Sequence, residues 1–187
     1  MRFFFVLVAA LFLAVGIVAA MVAAEPVKAG VEFEGKDMLL RPDGYREWVF
    51  VGSSLGLRYD EGKKQPDQLE YKNVYIDPAA YRAYKETGVF PEGTVLVLET
   101  ATGEEKKEPG LRGSFQKEFS GLSAAVKDKD RFPDGWAYFS FSDGPGKLKD
   151  KARPAKAAAC YDCHRQKGAA DNVFTQYYPV LNAARRK

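Results

Sequence analysis

A five-residue stretch near the carboxyl end, Cys160-Tyr-Asp-Cys163-His164, constrains this chain more than any other feature. The chain has no other cysteine or histidine among its 187 residues. Cys-x-x-Cys-His is the attachment motif of c-type haem. One helical turn presents both thiols to one porphyrin edge, and the next residue places its imidazole on the iron. The motif therefore predicts one covalently attached haem c, bound by Cys160, Cys163 and His164, with His164 as the metal ligand.

Two other kinds of site also use a Cys-x-x-Cys pair. A structural zinc site needs four ligands, and the chain has no further cysteine or histidine to complete one. A thiol redox couple is typical of a βα unit early in a domain, whereas this motif follows a segment rich in proline and lysine near the carboxyl end. The redox couple remains the alternative to haem c.

The single histidine also limits the sixth ligand of the iron, because a second histidine ligand is impossible. Methionine is the usual sixth ligand in electron-carrying cytochromes c. The only candidate is Met38, since Met1 and Met21 lie in the apolar amino-terminal segment. Beside two leucines, Met38 has the setting of a core residue. Unless Met38 or a lysine reaches the iron, we expect a five-coordinate iron with an open distal face.

Residues 1–24 have the pattern of a secretory signal peptide, with Arg2 ahead of an apolar run and small residues before Glu25. An uncleaved run of this length is also long enough to anchor the chain in a membrane. Either way, we expect residues 25–187 to form a single periplasmic or secreted domain. The net charge of +3 is spread along the chain, which argues against a nucleic-acid partner.

Turn signals and periodicity predict an α+β fold, with about four or five antiparallel strands, helices at both ends and the haem held at a carboxyl-terminal helix. Strands are predicted over 69–76, 94–100, 115–126 (bent or split at Gly121) and 136–141. Helices are predicted over 45–51, 79–87 and 155–165, with a short one after Pro179. Loops are predicted over 53–67 and 103–110, and a flexible connection over 142–156.

Several stretches of the chain resemble the cytochrome P-460 family, in the same order. They are Tyr45-Arg-Glu-Trp48, Val74-Tyr-Ile-Asp-Pro78, Gly88-x-Phe-x-x-Gly-Thr-Val95, the haem motif, and Val173-Phe-Thr-x-x-Tyr-Pro-Val-Leu181. The resemblance covers nearly all of residues 25–187. It implies a mostly antiparallel sheet packed over one face of a c-type haem in a periplasmic homodimer. It also implies that the motif histidine is the proximal ligand and that the sixth site is open.

The family divides by chemistry. Cytochromes P-460 carry a lysine linked to the porphyrin and oxidise hydroxylamine, whereas the related cytochromes c-prime-beta lack the link and bind NO and CO. The crosslinking position falls on Leu98, and neither Val97 nor Glu99 is a lysine. A position that is a distal arginine in the family aligns with Lys72. We expect Lys72 in the distal pocket, with a solvent-facing position or weak ligation of the iron as alternatives. Leu96 shares a strand face with Leu98, so the resemblance implies a leucine-lined pocket, and core packing alone is the alternative.

These expectations combine into one functional prediction. The protein is expected to be a periplasmic mono-haem c protein that binds or transforms small nitrogen oxides or diatomic gases such as NO and CO. An electron-transfer cytochrome c and a hydroxylamine-oxidising cytochrome P-460 are the alternatives. The expected partners are a small-molecule ligand, a redox protein and a second copy of the chain, and whether the protein turns a substrate over stays open.

Overall fold

The computed structural model describes residues 30–58 and 69–184. The predicted leader, 1–24, lies outside the described residues, as do residues 59–67 of the predicted loop. Within the described ranges, no helix is both long and apolar enough to cross a membrane.

The described residues form eight strands and three α-helices. The strands are β1 (Phe33–Glu34), β2 (Met38–Leu40), β3 (Val49–Leu55), β4 (Glu70–Ile76), β5 (Val95–Glu108), β6 (Leu111–Lys127), β7 (Trp136–Ser140) and β8 (Lys151–Ala152). The helices are α1 (Pro78–Thr87), α2 (Tyr161–Lys167) and α3 (Pro179–Ala184). Short 3-10 turns cover Tyr45–Glu47, Ala157–Ala159 and Thr175–Tyr177. Five strands form an antiparallel sheet in the order β3-β4-β5-β6-β7, and β1-β2-β8 form a second, smaller one.

Successive side chains of a strand point to opposite sides, and a hydrophobic cluster packs on each face of the five-stranded sheet. Val95 and Val97 of β5 pack with residues of the small sheet and the 45–47 turn, and we call this side the closed face. Leu96 and Leu98 pack on the other side with residues of α1, α3 and the motif segment, and we call this side the cavity face. The sheet therefore separates two hydrophobic clusters.

Helix α1 confirms the prediction for residues 77–88. The Asp77 carboxylate accepts hydrogen bonds from the backbone N–H groups of Ala79, at 2.9 Å, and Ala80, at 3.0 Å. Pro78 is the first helical residue, and Gly88 ends the helix with a φ of 73°. These are the favoured residues for the two ends of a helix, so local sequence determines this element.

The amino-terminal part of the fold differs from the prediction of helices at both ends. Only Tyr45–Glu47 is helical, as a single 3-10 turn, and strand β3 follows in place of the helix predicted over 45–51. Val49 pairs with Ile76 and Phe50 with Tyr75, so the hydrogen bonds that β4 offers outweigh the local helical pattern. The strand also continues into the predicted loop, as far as Leu55.

Two predicted connections are also strands. The segment predicted as a loop over 103–110 extends β5 into a long hairpin with β6, turned at Gly110. Strand β6 is continuous, and its register with β5 shifts opposite Gly121. Within the connection predicted over 142–156, Ala152 pairs with Leu39, so β8 joins the small sheet over the closed face.

Candidate functional site

A cavity of about 760 Å³ lies between the cavity face of the sheet and the segment that carries the motif. The sheet wall is mostly apolar and includes Val74, Leu96, Leu98, Ala125 and Trp136. Cys163, His164 and Lys167 of α2 and residues of the 172–178 segment form the opposite side. Polar groups also line the cavity at Ser53, Ser54, Arg58 and Ser123. A cavity of this size with few polar groups is typical of a cofactor or small-molecule site.

His164 lies on helix α2, and its imidazole has a defined orientation. Its Nδ1 is 2.8 Å from the carbonyl oxygen of Asn172, so the Nδ1–H donates a hydrogen bond to that carbonyl. The lone pair of Nε2 is then available to a metal ion. Burial lowers the pKa of His164 below its usual value, and the hydrogen bond to Asn172 opposes this only in part. The ring is therefore neutral at pH 7, which is the form that binds iron.

Two aromatic rings pack against the imidazole. The centroid of the Tyr138 ring is 4.3 Å from that of His164, and the Phe174 centroid is 4.6 Å away. The hydroxyl of Tyr138 also lies 3.4 Å from the Asn172 carbonyl oxygen. Tyr138, Asn172 and Phe174 could not be predicted as neighbours of His164 from the sequence, because only the tertiary fold brings them to it.

The turn that presents the Asn172 carbonyl is unusual. Asp171 and Asn172 have positive φ angles of 47° and 60°, a conformation that Asp and Asn tolerate better than most residues. Gly168 lies against this turn, and a Cβ atom there would be 2.7 Å from the His164 carbonyl oxygen and 2.8 Å from the Asn172 carbonyl carbon. A glycine is therefore needed for the end of α2 to approach the turn so closely.

The two cysteines lie beside His164, as the motif predicted. Cys160 immediately precedes α2, while Cys163 lies within it and lines the cavity. Both thiols are free, Cys160 half-buried and Cys163 exposed. Burial, and to a lesser extent the neighbouring Cys163, raises the pKa of the Cys160 thiol. The helix predicted over 155–165 is divided into a 3-10 turn and α2, and Gly168 follows its last residue as predicted.

The two predicted distal residues have different positions. Leu98 lines the cavity, in a row across three strands with Val74 and Ser123. Lys72 is two residues before Val74 in β4 and therefore lies on the same face of the sheet, but it does not line the cavity. Its side chain is buried rather than solvent-facing, and its Nζ forms an ion pair with the carboxylate of Glu70.

Met38, the candidate methionine ligand for the sixth position, is half-buried in β2. Strand β2 belongs to the small sheet, which packs on the closed face through Leu39. Met38 therefore lies on the side of the five-stranded sheet away from the cavity.

These features fit a c-type haem. An oriented neutral imidazole, two free thiols within one helical turn and an apolar cavity of suitable size lie together. The Ser54 hydroxyl oxygen, at the cavity, is buried with no hydrogen-bond partner among the described residues. A buried hydroxyl in this state is expected where a bound group completes its hydrogen bonding.

Comparison with known proteins agrees with this chemistry. The model of the Cytochrome P460 family matches residues 42–175, which is more than half of the chain and includes the motif. No curated protein matches the chain significantly. The chain belongs to the cytochrome P460 family, whose members bind haem c, and it carries one covalently attached haem.

Proposed function

We propose that this protein is a periplasmic mono-haem c protein that binds or transforms NO, CO or similar small nitrogen oxides at an open iron site. Thioether bonds from Cys160 and Cys163 attach the haem to the carboxyl-terminal segment, and His164 supplies the proximal ligand. The observation that carries this proposal is the 2.8 Å bond from His164 Nδ1 to Asn172, which leaves Nε2 free at the cavity. The haem supplies the iron to which the gas binds.

An open sixth position follows from the ligands that this chain can offer. His164 is the only histidine, and Met38 lies on the other side of the sheet. Lys72 is held in an ion pair with Glu70 and does not line the cavity, and Lys167, which does line it, lies on the same helix as His164. A five-coordinate iron is the state that binds external ligands.

The sheet wall of the cavity supports a small uncharged ligand. Val74, Leu96, Leu98 and Ala125 carry no charge and no group that transfers a proton. These four residues offer only van der Waals contact, which suits NO and CO better than the more polar hydroxylamine, while Ser53, Ser54, Arg58 and Ser123 supply polar groups elsewhere in the lining. A leucine at position 98 also has no amine to bond to the porphyrin, which supports the proposal that the protein is of the uncrosslinked cytochrome c-prime-beta type.

Electron transfer is the second candidate, and the exposure of Cys163 favours it. A haem attached there would need one edge close to the surface, where a redox protein could dock. The spin state discriminates between the two functions, because an electron carrier needs a strong sixth ligand and is then low-spin.

We also propose a homodimer, as the resemblance implies. Phe50, Leu55 and Phe119 are exposed by 49%, 46% and 56%. They pair across the sheet with Tyr75, Tyr71 and Ala101, respectively. By the alternation of side chains along a strand, these partners point to the closed face, so the exposed apolar surface lies away from the cavity. Sedimentation equilibrium tests the dimer, and Phe119→Ser is expected to favour the monomer.

Optical spectra test the main proposal directly. The mature protein is made in a host that attaches haem c, and its spectra are recorded oxidised, reduced, and reduced with CO or NO. We expect a broad high-spin reduced Soret band that shifts when the gas is added. Sharp low-spin bands that do not shift when the gas is added would favour the electron carrier. A Soret band of the reduced protein displaced far to the red would favour hydroxylamine oxidation.

A matched pair of variants identifies the proximal ligand. His164→Ala is expected to retain the thioether-linked haem but to lose the histidine-ligated spectrum. Gln166→Ala, at an exposed position of the same helix, is expected to match the wild type. Identical spectra for His164→Ala and the wild type would contradict the assignment of His164.

A further inference from the structure

We propose that Lys127 and Asp171 are a positioning pair for His164. Their ion pair holds the turn whose carbonyl orients the imidazole, and so controls how strongly His164 binds the iron. This inference rests on the proposed role of His164 as the proximal ligand. Neither residue belongs to the motif, and neither lines the cavity.

The pair joins three segments of the fold. The Nζ of Lys127, at the end of β6, is 2.6 Å from Asp171 Oδ2 and 2.7 Å from the carbonyl oxygen of Phe90. The Lys127 side chain is only 14% exposed. The Asp171 side chain is 35% exposed, so the pair is partly shielded from solvent. With its second acceptor, such a pair holds its geometry better than a fully exposed one.

The Asp171 carboxylate is held on its other side as well. Its Oδ1 accepts a hydrogen bond of 3.1 Å from the indole Nε1–H of Trp136. Trp136 and Lys127 are directly opposite each other in the pairing of β6 and β7. Both donors therefore come from one rigid position of the sheet, and together they fix the carboxylate.

A fixed carboxylate is what this turn requires. Asp171 and Asn172 both have positive φ, and consecutive residues in this conformation persist only where the surroundings hold them. The Asn172 carbonyl then points at His164 Nδ1, 2.8 Å away. A firm Nδ1–H hydrogen bond raises the basicity of Nε2, and with it the strength of the bond to iron. Without the ion pair, the turn relaxes and this hydrogen bond weakens.

The test uses the haem-loaded protein with Asp171→Asn and Lys127→Gln. Asparagine tolerates positive φ and can still accept from Trp136, so Asp171→Asn removes mainly the charge. The readouts are the ferrous iron–histidine stretching band by resonance Raman spectroscopy and the haem reduction potential. We expect both variants to lower the stretching frequency and to make the potential more positive, because a less basic histidine stabilises ferric iron less.

A simple charge effect gives a different pattern. Removing the anion at 171 would raise the potential, and removing the cation at 127 would lower it. Potentials that shift in opposite directions, or a stretching band that is unchanged in both variants, would overturn the proposal. If Asp171→Asn yields no haem-loaded protein, Lys127→Gln alone tests the proposal. For this variant the positioning role predicts a more positive reduction potential, whereas a simple charge effect predicts a more negative one. Lys127→Arg, which keeps the charge, is expected to restore most of the wild-type frequency.

Two controls separate this inference from the proposed function. Glu34→Gln removes the ion pair with Lys151, in the small sheet away from the cavity, and is expected to change neither readout. If the wild type has no iron–histidine band, or if His164→Ala retains it, the proposed function itself fails. A normal wild-type band with unaltered variants overturns only the role of Lys127 and Asp171.

Discussion

Leu98, which the resemblance aligns with the crosslinking lysine of cytochromes P-460, lines the sheet wall of the cavity. Its neighbours across the sheet are Val74 on one strand and Ser123 on the other. The side chain therefore limits the room beside the proposed haem and contributes no charge. Its size, rather than its reactivity, is expected to control ligand binding.

Substitutions at Leu98 are expected to change gas binding without a large loss of stability. Leu98→Phe fills ligand space, and we expect it to weaken CO binding to the reduced protein about tenfold, equivalent to ~1.4 kcal/mol. Val95→Ala, on the closed face of the same strand, should lower the free energy of unfolding by about 1–3 kcal/mol and leave CO affinity unchanged. Equal CO affinities in Leu98→Phe and the wild type would contradict the position given to Leu98.

Gly168→Ala tests the close approach between α2 and the following turn. The added Cβ would meet backbone atoms of His164, Asn172 and Val173, at 2.7 to 2.9 Å, so the turn must move away. We expect a loss of about 1–3 kcal/mol in unfolding free energy, as for other overpacked sites, together with a lower iron–histidine frequency. Gly113→Ala is the matched control, because its Cβ would make only ordinary contacts, the nearest at 3.6 Å. An unperturbed Gly168→Ala protein would show that the contact is not tight.

The candidate site could be predicted from the sequence only where its residues are adjacent in the chain. Cys160, Cys163 and His164 are fixed by spacing within one helical turn. In the structure Cys163 and His164 line the cavity, and Cys160 packs against the hydrophobic cluster on the same side of the sheet. The partner of His164 is a backbone carbonyl eight residues away, at Asn172. Any residue could supply that carbonyl, so side-chain identity carries no signal for it.

At the scale of elements, prediction succeeded for helix α1 and for strands with a clear apolar pattern, such as β4 and β7, and failed where strand pairing overrides the local pattern. Helix α1 follows from Asp77, Pro78 and Gly88. The residues 45–51 suit a helix by local pattern, yet Val49 to Val51 become a strand because β4 offers backbone partners. The charged residues over 103–110 predict a loop, but this segment forms a hairpin with β6. A hairpin exposed to solvent needs no apolar face, because its backbone hydrogen bonds form between the two strands.

The capping of α1 can be measured by itself. Asp77→Ala removes the acceptor for two backbone N–H groups, and we expect the free energy of unfolding to fall by about 1 kcal/mol. Asp77→Asn keeps an acceptor at the cap and should lose much less. Urea denaturation of the haem-loaded protein compares the three proteins. A cost for Asp77→Asn equal to that of Asp77→Ala would mean that charge, rather than capping, stabilises the helix.

For the molecule as a whole, the sheet separates a binding side from a structural side. The closed face carries a buried carboxylate, Glu99, which accepts hydrogen bonds from Tyr45, Arg46 and Asn73. These contacts fasten the 45–47 turn to β4 and β5. Because neither Tyr45 nor Glu99 lines the cavity, global stability can be altered from this side while the proposed iron site is left intact.

Alkaline unfolding tests this separation. Burial, and then the hydrogen bond to Glu99, raises the pKa of Tyr45 well above its usual value near 10. Above about pH 10 the unfolded chain releases this proton while the folded protein keeps it, so unfolding becomes easier by about 1.4 kcal/mol per pH unit. Tyr45→Phe should remove this contribution to the slope of the free energy of unfolding against pH, whereas Tyr81→Phe, on α1, should not. Circular dichroism gives the slopes between pH 9 and about 11, and equal slopes in the two variants would contradict the burial of a neutral Tyr45. An unchanged CO-bound Soret band in Tyr45→Phe at neutral pH is expected if the two faces are independent.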